Sequence, residues 1–260
     1  MSVYFISDFH LGAPWIKDKD NQARLFLDFL EYIAQDVEYL YILGDLFDFW
    51  FEYRDGFPNK FPEITSKLKE LSDGGVKIKF LGGNHDWWVG KSFISLTGAD
   101  VIKTDTEVSH YGKRIYISHG DGVAKPDWAY RLLRRILRNR VNIFLFSQLP
   151  SSIGIILAKI VSSGSRARGE GRSWSFLPYY VIFAESLVGE GFDAVIMGHT
   201  HIPQVVEFQD GVYINIGDWI RYFTYCKLDD GGFRLRSFAD GTEGNFDFSK
   251  LTPPKGIWGI

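Results

Sequence analysis

The sequence is nearly without cysteine. Cys226 is the single thiol among 260 residues, so no internal disulfide can form. The N-terminus lacks the pattern of a secretory leader: Met1 runs within two residues into Val3-Tyr4-Phe5-Ile6, too short for a leader or a membrane span. Both absences point to a chain made soluble, in the reducing environment of the cytoplasm. Internal repeats and low-complexity tracts are missing too, which excludes solenoids and biased linkers. Apolar residues are not scarce. At 45% they exclude intrinsic disorder, and the length suits one large α/β domain or a core carrying an inserted sub-domain.

Net charge is also small, at −3, but unevenly spread. Between Lys125 and Arg172 ten Lys/Arg stand against Asp127 and Glu170 alone, a net +8 that leaves −11 for the rest. A split of this kind suggests two surfaces with different partners, and an acidic body is what a carboxylate-built cation site produces.

Six short apolar runs read as buried strands, each ending in a polar cluster: Val3–Ile6, Tyr39–Leu43, Val76–Leu81, Ile115–Ile117, Ala194–Met197 and Val212–Ile216. Helical patterns at Gln22–Ala34 and Phe61–Leu71 alternate with the first three, the second with Pro62 near its start and Gly74-Gly75 after its end. This alternation predicts an α/β sheet, in which ligands bind beyond the carboxyl ends of the strands. Gly231-Gly232 between Phe223–Leu228 and Phe233–Phe238 marks a hairpin. Pro253-Pro254 and Trp258 suggest a tail packed down on the body.

Residues 123–175 break the rhythm and read as a helical cap inserted into a core of 1–122 and 176–260. Arg131–Arg138 is a basic amphipathic helix, Ile143–Leu149 and Ile153–Ile160 flank the break at Pro150, and Ser162–Arg172 is a Ser/Gly/Arg loop.

Five of the six histidines lie in the clusters that follow strands, the exception being His110. The clusters are Asp8-Phe9-His10, Gly44-Asp45, Gly83-Asn84-His85-Asp86, His119-Gly120-Asp121 and Gly198-His199-Thr200-His201. Taken singly, an Asp-x-His is ordinary surface chemistry and Gly44-Asp45 is merely a turn. Jointly, in this order and all after strands, they fit a pair of divalent cations, which needs imidazole and carboxylate ligands and one carboxylate able to bridge. Asp8 and His10, at i and i+2 on an extended segment, would point the same way, and the glycines would let the backbone turn sharply. No protein nucleophile is evident: Ser7 and Ser118 have no identifiable triad partners.

The ordered set D-x-H, G-D-x-x-D (Gly44 to Asp48), G-N-H-D, H-G-D and G-H-x-H, spanning residues 8–201, resembles the calcineurin-like metallophosphoesterases. The resemblance implies a four-layer α/β/β/α sandwich and two metals, one held by Asp8, His10, Asp45 and His201, the other by Asp45, Asn84, His119 and His199, with Asp45 bridging. His85 would face the scissile phosphate and assist the leaving group, and Asp86 would orient His85. Ligands without thiolate suit Mn²⁺, Fe²⁺ or Zn²⁺, and the resemblance favours Mn²⁺. Coordination lowers the pKa of water enough for attack on phosphorus near neutral pH.

A finer resemblance, in Ile6 to Gly12, Tyr41 to Trp50, His119 to Gly122 and Asn215 to Trp219, is to UDP-2,3-diacylglucosamine pyrophosphatases of lipid A biosynthesis; some members carry Arg where this chain has His85. It implies a lipid-linked sugar nucleotide as substrate, contacted by Asn84 and by Asp127 near its head group. Arg166 and Arg168 would clamp its phosphates. The apolar residues of the cap would seat acyl chains, and its basic helix would touch an anionic membrane surface, placing the enzyme at the inner face of the cytoplasmic membrane. Two other readings compete. A phosphodiesterase or nuclease would use the basic stretch on phosphates, but that stretch is interleaved with aliphatics rather than stacking aromatics, so no nucleic acid is expected. A non-catalytic scaffold would have no need of a complete ligand set.

Overall fold

Successive side chains of a strand face opposite ways, and here both faces are apolar. Along β1 (Ser2–Ile6), Tyr4 and Ile6 enter one cluster while Val3 and Phe5 enter another. The computed structural model, which describes residues 1–54, 59–154, 156–157 and 169–251, shows what each face meets. β2 (Val37–Ile42), β3 (Lys77–Leu81) and β4 (Asp100–Ile102) extend from β1 in parallel. β10 (Thr224–Asp229), β11 (Gly232–Ser237) and β12 (Gly244–Asn245) add antiparallel on its other side, giving a seven-stranded sheet ordered β12-β11-β10-β1-β2-β3-β4. The second sheet is ordered β5-β6-β7-β9-β8. Its parallel centre is β6 (Lys113–Ser118), β7 (Ala194–Met197) and β9 (Val212–Asn215), with β5 (Thr106–His110) and β8 (Gln204–Glu207) as antiparallel edges.

Three cores result. In the first, α1 (Lys19–Ile33), α2 (Pro62–Asp73) and α3 (Lys91–Thr97) cover one face of the large sheet, with Phe26, Phe29 and Ile33 of α1 against Tyr4, Ile6 and Leu40. Each such side chain stabilises the fold by roughly 1.5–3 kcal/mol when buried. The second core lies between the sheets, where Val3, Phe5 and Tyr41 meet Ile115, Ile196 and Ile214. In the third, Val195, Met197 and Tyr213 on the far face of the small sheet pack against Tyr180, Ala184 and Leu187 of α6 (Gly169–Gly189). The layers therefore run helix, sheet, sheet, helix, as the sequence implied.

The departures are local. α1 starts at Lys19 rather than Gln22 because Asp18 caps it, accepting a hydrogen bond from the Asn21 amide at 3.0 Å. α6 begins at Gly169, so the end of the loop expected over 162–172 is helical. The short strands β4, β5, β8 and β12, two to five residues each, contain no apolar run as long as those of the buried strands and escaped notice. α4 (Trp128–Leu137) and α5 (Arg140–Ser147) lie in the segment expected to form a cap, followed by a helical stretch at 151–154, and neither labelled helix contains a buried residue. Arg166, Arg168 and the tail with Pro253, Pro254 and Trp258 lie outside the described residues.

Candidate active site

Six of the seven parallel strands deliver a site residue just past the carboxyl end: Asp8 after β1, Asp45 after β2, Asn84 after β3, His119 after β6, His199 after β7 and Asp218 after β9. The backbone there is left-handed. Eight non-glycine residues among those described have positive φ, and five of them are expected ligands: Asp8 (58°), His10 (49°), Asp45 (54°), His199 (69°) and His201 (60°). Asp8 and His10 thus share a side through a coiled turn and not an extended segment. Asp and His tolerate this region better than most residues, and such concentration of strain marks a functional site.

Two glycines allow the loops to interlock. Gly44 has φ 88°, and a Cβ there would strike the Gly83 backbone and the His119 ring. A Cβ on Gly83 would collide with the Asp45 carboxylate, so close approach, more than turning, requires that glycine. Backbone bonds zip the loops together, with the amides of Phe9 and His10 both donating to Asp45 O at 2.9 Å.

The side chains converge around one oxygen. Asp45 Oδ2 lies 3.6 Å from His10 Nε2 and 3.5 Å from His119 Nε2. On one side, Asp8 Oδ1 is 3.8 Å from His10 Nε2 and 3.6 Å from His201 Nε2. On the other, Asn84 Oδ1 is 3.1 Å from His119 Nε2, and the His119 and His199 rings stand 5.1 Å apart. Most of these separations are too long for hydrogen bonds but suit atoms sharing an ion, since ligands about 2.1 Å from one cation lie roughly 3–3.5 Å from each other. Asp8 Oδ1 and both ring nitrogens of His10 are buried without a hydrogen-bond partner. Buried polar atoms of this kind need a partner, and cations on either side of Asp45 Oδ2 would provide it. Asp8, His10, His201 and Asp8, Asp45, His119 are both compact enough to hold an ion.

The remaining atoms are committed to holding these in place. His119 Nδ1 bonds Leu43 O at 2.7 Å, and His201 Nδ1 faces Asp218 Oδ2 at 3.4 Å, the outer contacts that aim metal-ligating imidazoles. Asp8 Oδ2 accepts from Ser7 Oγ at 2.5 Å and the His199 amide at 2.8 Å.

Burial disfavours charge on all these groups, and their neighbours decide which keep it. Against burial, His201 and His10 hold Asp8 down at about 2, while His119 and His85 hold Asp45 well below the usual carboxylate range. Likewise against burial, Asp45 lifts His119 to about 10, and Asp8 with Asp218 lifts His201 to about 9. Burial and the charge of His119 push His199 down to about 4. Ligand imidazoles must be neutral, so divalent cations would replace the protons that otherwise balance Asp8 and Asp45.

His85 lies at the mouth of this nest, its ring 4.7 Å from and perpendicular to that of His10. The residue that holds it is not the one expected. Asp86 is fully buried and turns back under its loop, accepting from the amides of Gly83, Asp45 and Phe47 at 3.0–3.2 Å. Burial and the charge of Asp45 raise its pKa to about 7. The His85 ring bonds instead to Asp48, with Nδ1 2.8 Å from the carbonyl and 3.6 Å from Oδ1. Asp127 occupies the cap position of α4, where its side chain makes no capping hydrogen bond. Asp48 and Asp218 were visible in the motifs without an assigned role; the Gly217-Asp218 pair after β9 is the signal that singles out Asp218.

The helix above this nest is inside out. Tyr130, Arg134 and Arg138 form the stripe of α4 that faces the metal loops, and Leu132, Leu133 and Ile136 face outward. The aromatics beside the site divide between core and cap. Phe47 and Trp50 lie in the first core, whereas Phe51 and Tyr53 pack on Phe146 of α5 at 4.8 and 5.8 Å.

Comparison with known proteins agrees with this geometry. The model of the calcineurin-like phosphoesterase family matches residues 1–203. The UDP-2,3-diacylglucosamine hydrolase of Pseudomonas fluorescens (strain SBW25) is 32% identical over 241 residues, covering 91% of this chain and 95% of that protein. Proteins of the same description are 32% identical in Pseudomonas aeruginosa (strain UCBPP-PA14), over 92% of this chain and 99% of that protein, and in Haemophilus influenzae (strain Rd), over 88% and 95%. With its motifs gathered at the strand ends and the family model covering most of its length, the chain belongs to the calcineurin-like phosphoesterases, a family of metal-dependent hydrolases.

Proposed function

We propose that the protein cleaves the pyrophosphate bond of UDP-2,3-diacylglucosamine to give 2,3-diacylglucosamine 1-phosphate and UMP, a step of lipid A biosynthesis. The observation that carries this reading is the cap: an outward apolar surface on a basic helix, joined directly to the metal loops. Leu132, Leu133, Ile136, Val141, Phe144 and Leu145 are 39–64% exposed, and exposed apolar surface of that extent marks a binding site. Acyl chains would lie there while the diphosphate reaches the nest. The relatives named above share nearly the whole length of this chain, cap included.

Two divalent cations, which we assign as Mn²⁺, fit the donor set of imidazole, carboxylate and amide oxygen. Asp8, His10, Asp45 and His201 would hold one, and Asp45, Asn84, His119 and His199 the other. Bound, they would supply activated water and neutralise phosphate charge. The protein's own part is positional. Asp45 would space the two sites, and Asn84, with Oδ1 given to a cation, would keep its Nδ2 to donate to a phosphate oxygen. With Nδ1 of His85 committed to Asp48, Nε2 is the atom that, protonated, donates to the leaving group. We place the core at 1–122 and 176–260 and the cap at 123–175. Asp127, Arg166 and Arg168 we retain as contacts to the substrate head group and phosphates.

We also propose peripheral contact of the cap with an anionic membrane surface at the inner face of the cytoplasmic membrane. No helix among the described residues is long and apolar enough to cross a membrane. Outward-facing Trp128, Leu132 and Phe144 beside Arg131, Arg135 and Arg140 suit the interface, where each basic residue contributes about 1 kcal/mol.

The test is UMP release from UDP-2,3-diacylglucosamine in detergent micelles by Mn²⁺-loaded protein, alongside bis(p-nitrophenyl) phosphate and a polynucleotide. Metal-dependent UMP release supports the reading. Turnover of the small diester or the polynucleotide without UMP release removes the lipid substrate, and two bound metals with no turnover of any kind favours the scaffold.

A further inference from the structure

α4 is attached to the nest through a set of contacts that centres on one atom. Asp121 Oδ2 accepts from Tyr130 OH at 3.0 Å and Arg138 Nη2 at 2.8 Å, and pairs with Arg134 Nε at 2.8 Å. The three partners sit four residues apart, one per turn along a single stripe of the helix. Asp121 is buried, two residues beyond His119 in the loop that follows β6. Arg138 Nη2 also donates to Gly83 O at 3.2 Å, and Trp88 Nε1 donates to Leu137 O at 3.1 Å, so the helix end is tied to the Asn84 loop as well. One carboxylate thus connects the cap helix to a loop of the second sheet, and Arg138 carries that connection across to a loop of the first.

We propose that Asp121 is a positioning residue: its carboxylate fixes α4 onto the two metal loops and so sets where a substrate held by the cap meets the metal centre. Without that charge, Tyr130 and Arg134 would lose the acceptor this loop offers them, Arg138 would keep only Gly83 O, and the helix has no buried apolar residue to hold it there. Arg134 and Arg138 are anchors in this arrangement, pointing inward to Asp121, and are distinct from the outward basic residues that face a membrane. Docking of the helix stands independently of the substrate; the kinetic consequence rests on the lipid-nucleotide reading.

The experiment compares full-length wild type, Asp121→Asn, Arg138→Gln and the double variant. Amide hydrogen exchange over 128–137 should quicken roughly tenfold in each single variant, with β6 and β7 unchanged. KM for UDP-2,3-diacylglucosamine should rise roughly tenfold with kcat within about threefold, and the double variant should fall well short of the product of the two single effects, because both changes break the Asp121–Arg138 contact. Turnover of bis(p-nitrophenyl) phosphate by Arg138→Gln should match wild type. Unaltered exchange in α4 overturns the proposal, as do equal falls in kcat on both substrates, which would make Asp121 part of the metal centre. If Asp121→Asn does not fold, Arg134→Gln and Arg138→Gln decide by the same exchange measurement. Wild-type protein that cleaves the small diester but not the lipid nucleotide sinks the substrate reading alone, and the exchange result still decides the anchor.

Discussion

The metal nest and the cap helix α4 sit against each other and are built on opposite plans. In the nest, polar side chains are buried or half-buried, five of them on left-handed backbone, and atoms turned away from its centre are held by neighbouring amides and carbonyls. In α4 the polar stripe also turns inward, but the apolar residues it would ordinarily bury face out. A helix on the first core, such as α1, puts Phe26 and Phe29 inward because its neighbour is an apolar sheet. The neighbour of α4 is a carboxylate at the edge of an ion site, so arginine is what complements it. Which side of an amphipathic helix is buried follows from what it packs against, and an outward apolar face is surface held ready for something other than water.

The sharpest way to test the nest side of this contrast is Asp45→Asn, because asparagine keeps the left-handed backbone and removes only the charge we propose to lie between the cations. Turnover should fall by roughly 10³-fold or more, with loss of bound metal measured by elemental analysis. A variant retaining both metals and activity within tenfold would show that Asp45 does not bridge. His85→Ala should cost roughly 10²–10³-fold in kcat while metal content stays at the wild-type level; loss of metal instead would make His85 a ligand. Removing the metals should lower the melting temperature by about 5–10 °C for each site emptied, roughly 10–20 °C for both. A site saturated a hundredfold stabilises by about 2.7 kcal/mol, and each kcal/mol moves a chain of this size by about 2–4 °C. No shift on chelation would mean that the nest is held by its hydrogen bonds alone.

How much of this was legible follows the same division. The post-strand clusters of Asp8, Asp45, Asn84, His119 and His199 could be read because buried parallel strands are short apolar runs and the residues after them share one edge. The four layers followed from the resemblance, and the strands' doubly apolar faces account for them. What could not be read was direction. Asp86 is adjacent to His85 in sequence, yet its carboxylate turns to three amides while Asp48, far along the chain, holds the ring. Adjacent residues on a tight turn point apart, and spacing alone does not say which partner each one meets. The left-handed turns at Asp8 and His10 were hidden for a related reason, since Asp and His accept that conformation without a glycine to announce it. In the cap, the alternation of Arg and Leu correctly indicated an amphipathic helix but not which face would be buried, because that depends on Asp121.

The smallest expected effect is also the one that most directly separates the two plans. Phe29, enclosed by Tyr4, Trp219, Tyr225 and Phe238, should cost about 3–5 kcal/mol when replaced by alanine, as a large cavity opens in the first core. Leu132→Ser and Phe144→Ser remove side chains of comparable hydrophobicity from the cap, yet each should change unfolding free energy by no more than about 0.5 kcal/mol, since both are more than half exposed already. Denaturant melts of the three variants provide the measurement. The same two cap variants should weaken co-sedimentation with vesicles containing anionic lipid, because this outward surface is the one we propose to meet the acyl region. A cap substitution as costly as Phe29→Ala would show that this face is covered in solution, and the inverted helix would then be an ordinary one whose second partner lies elsewhere in the chain.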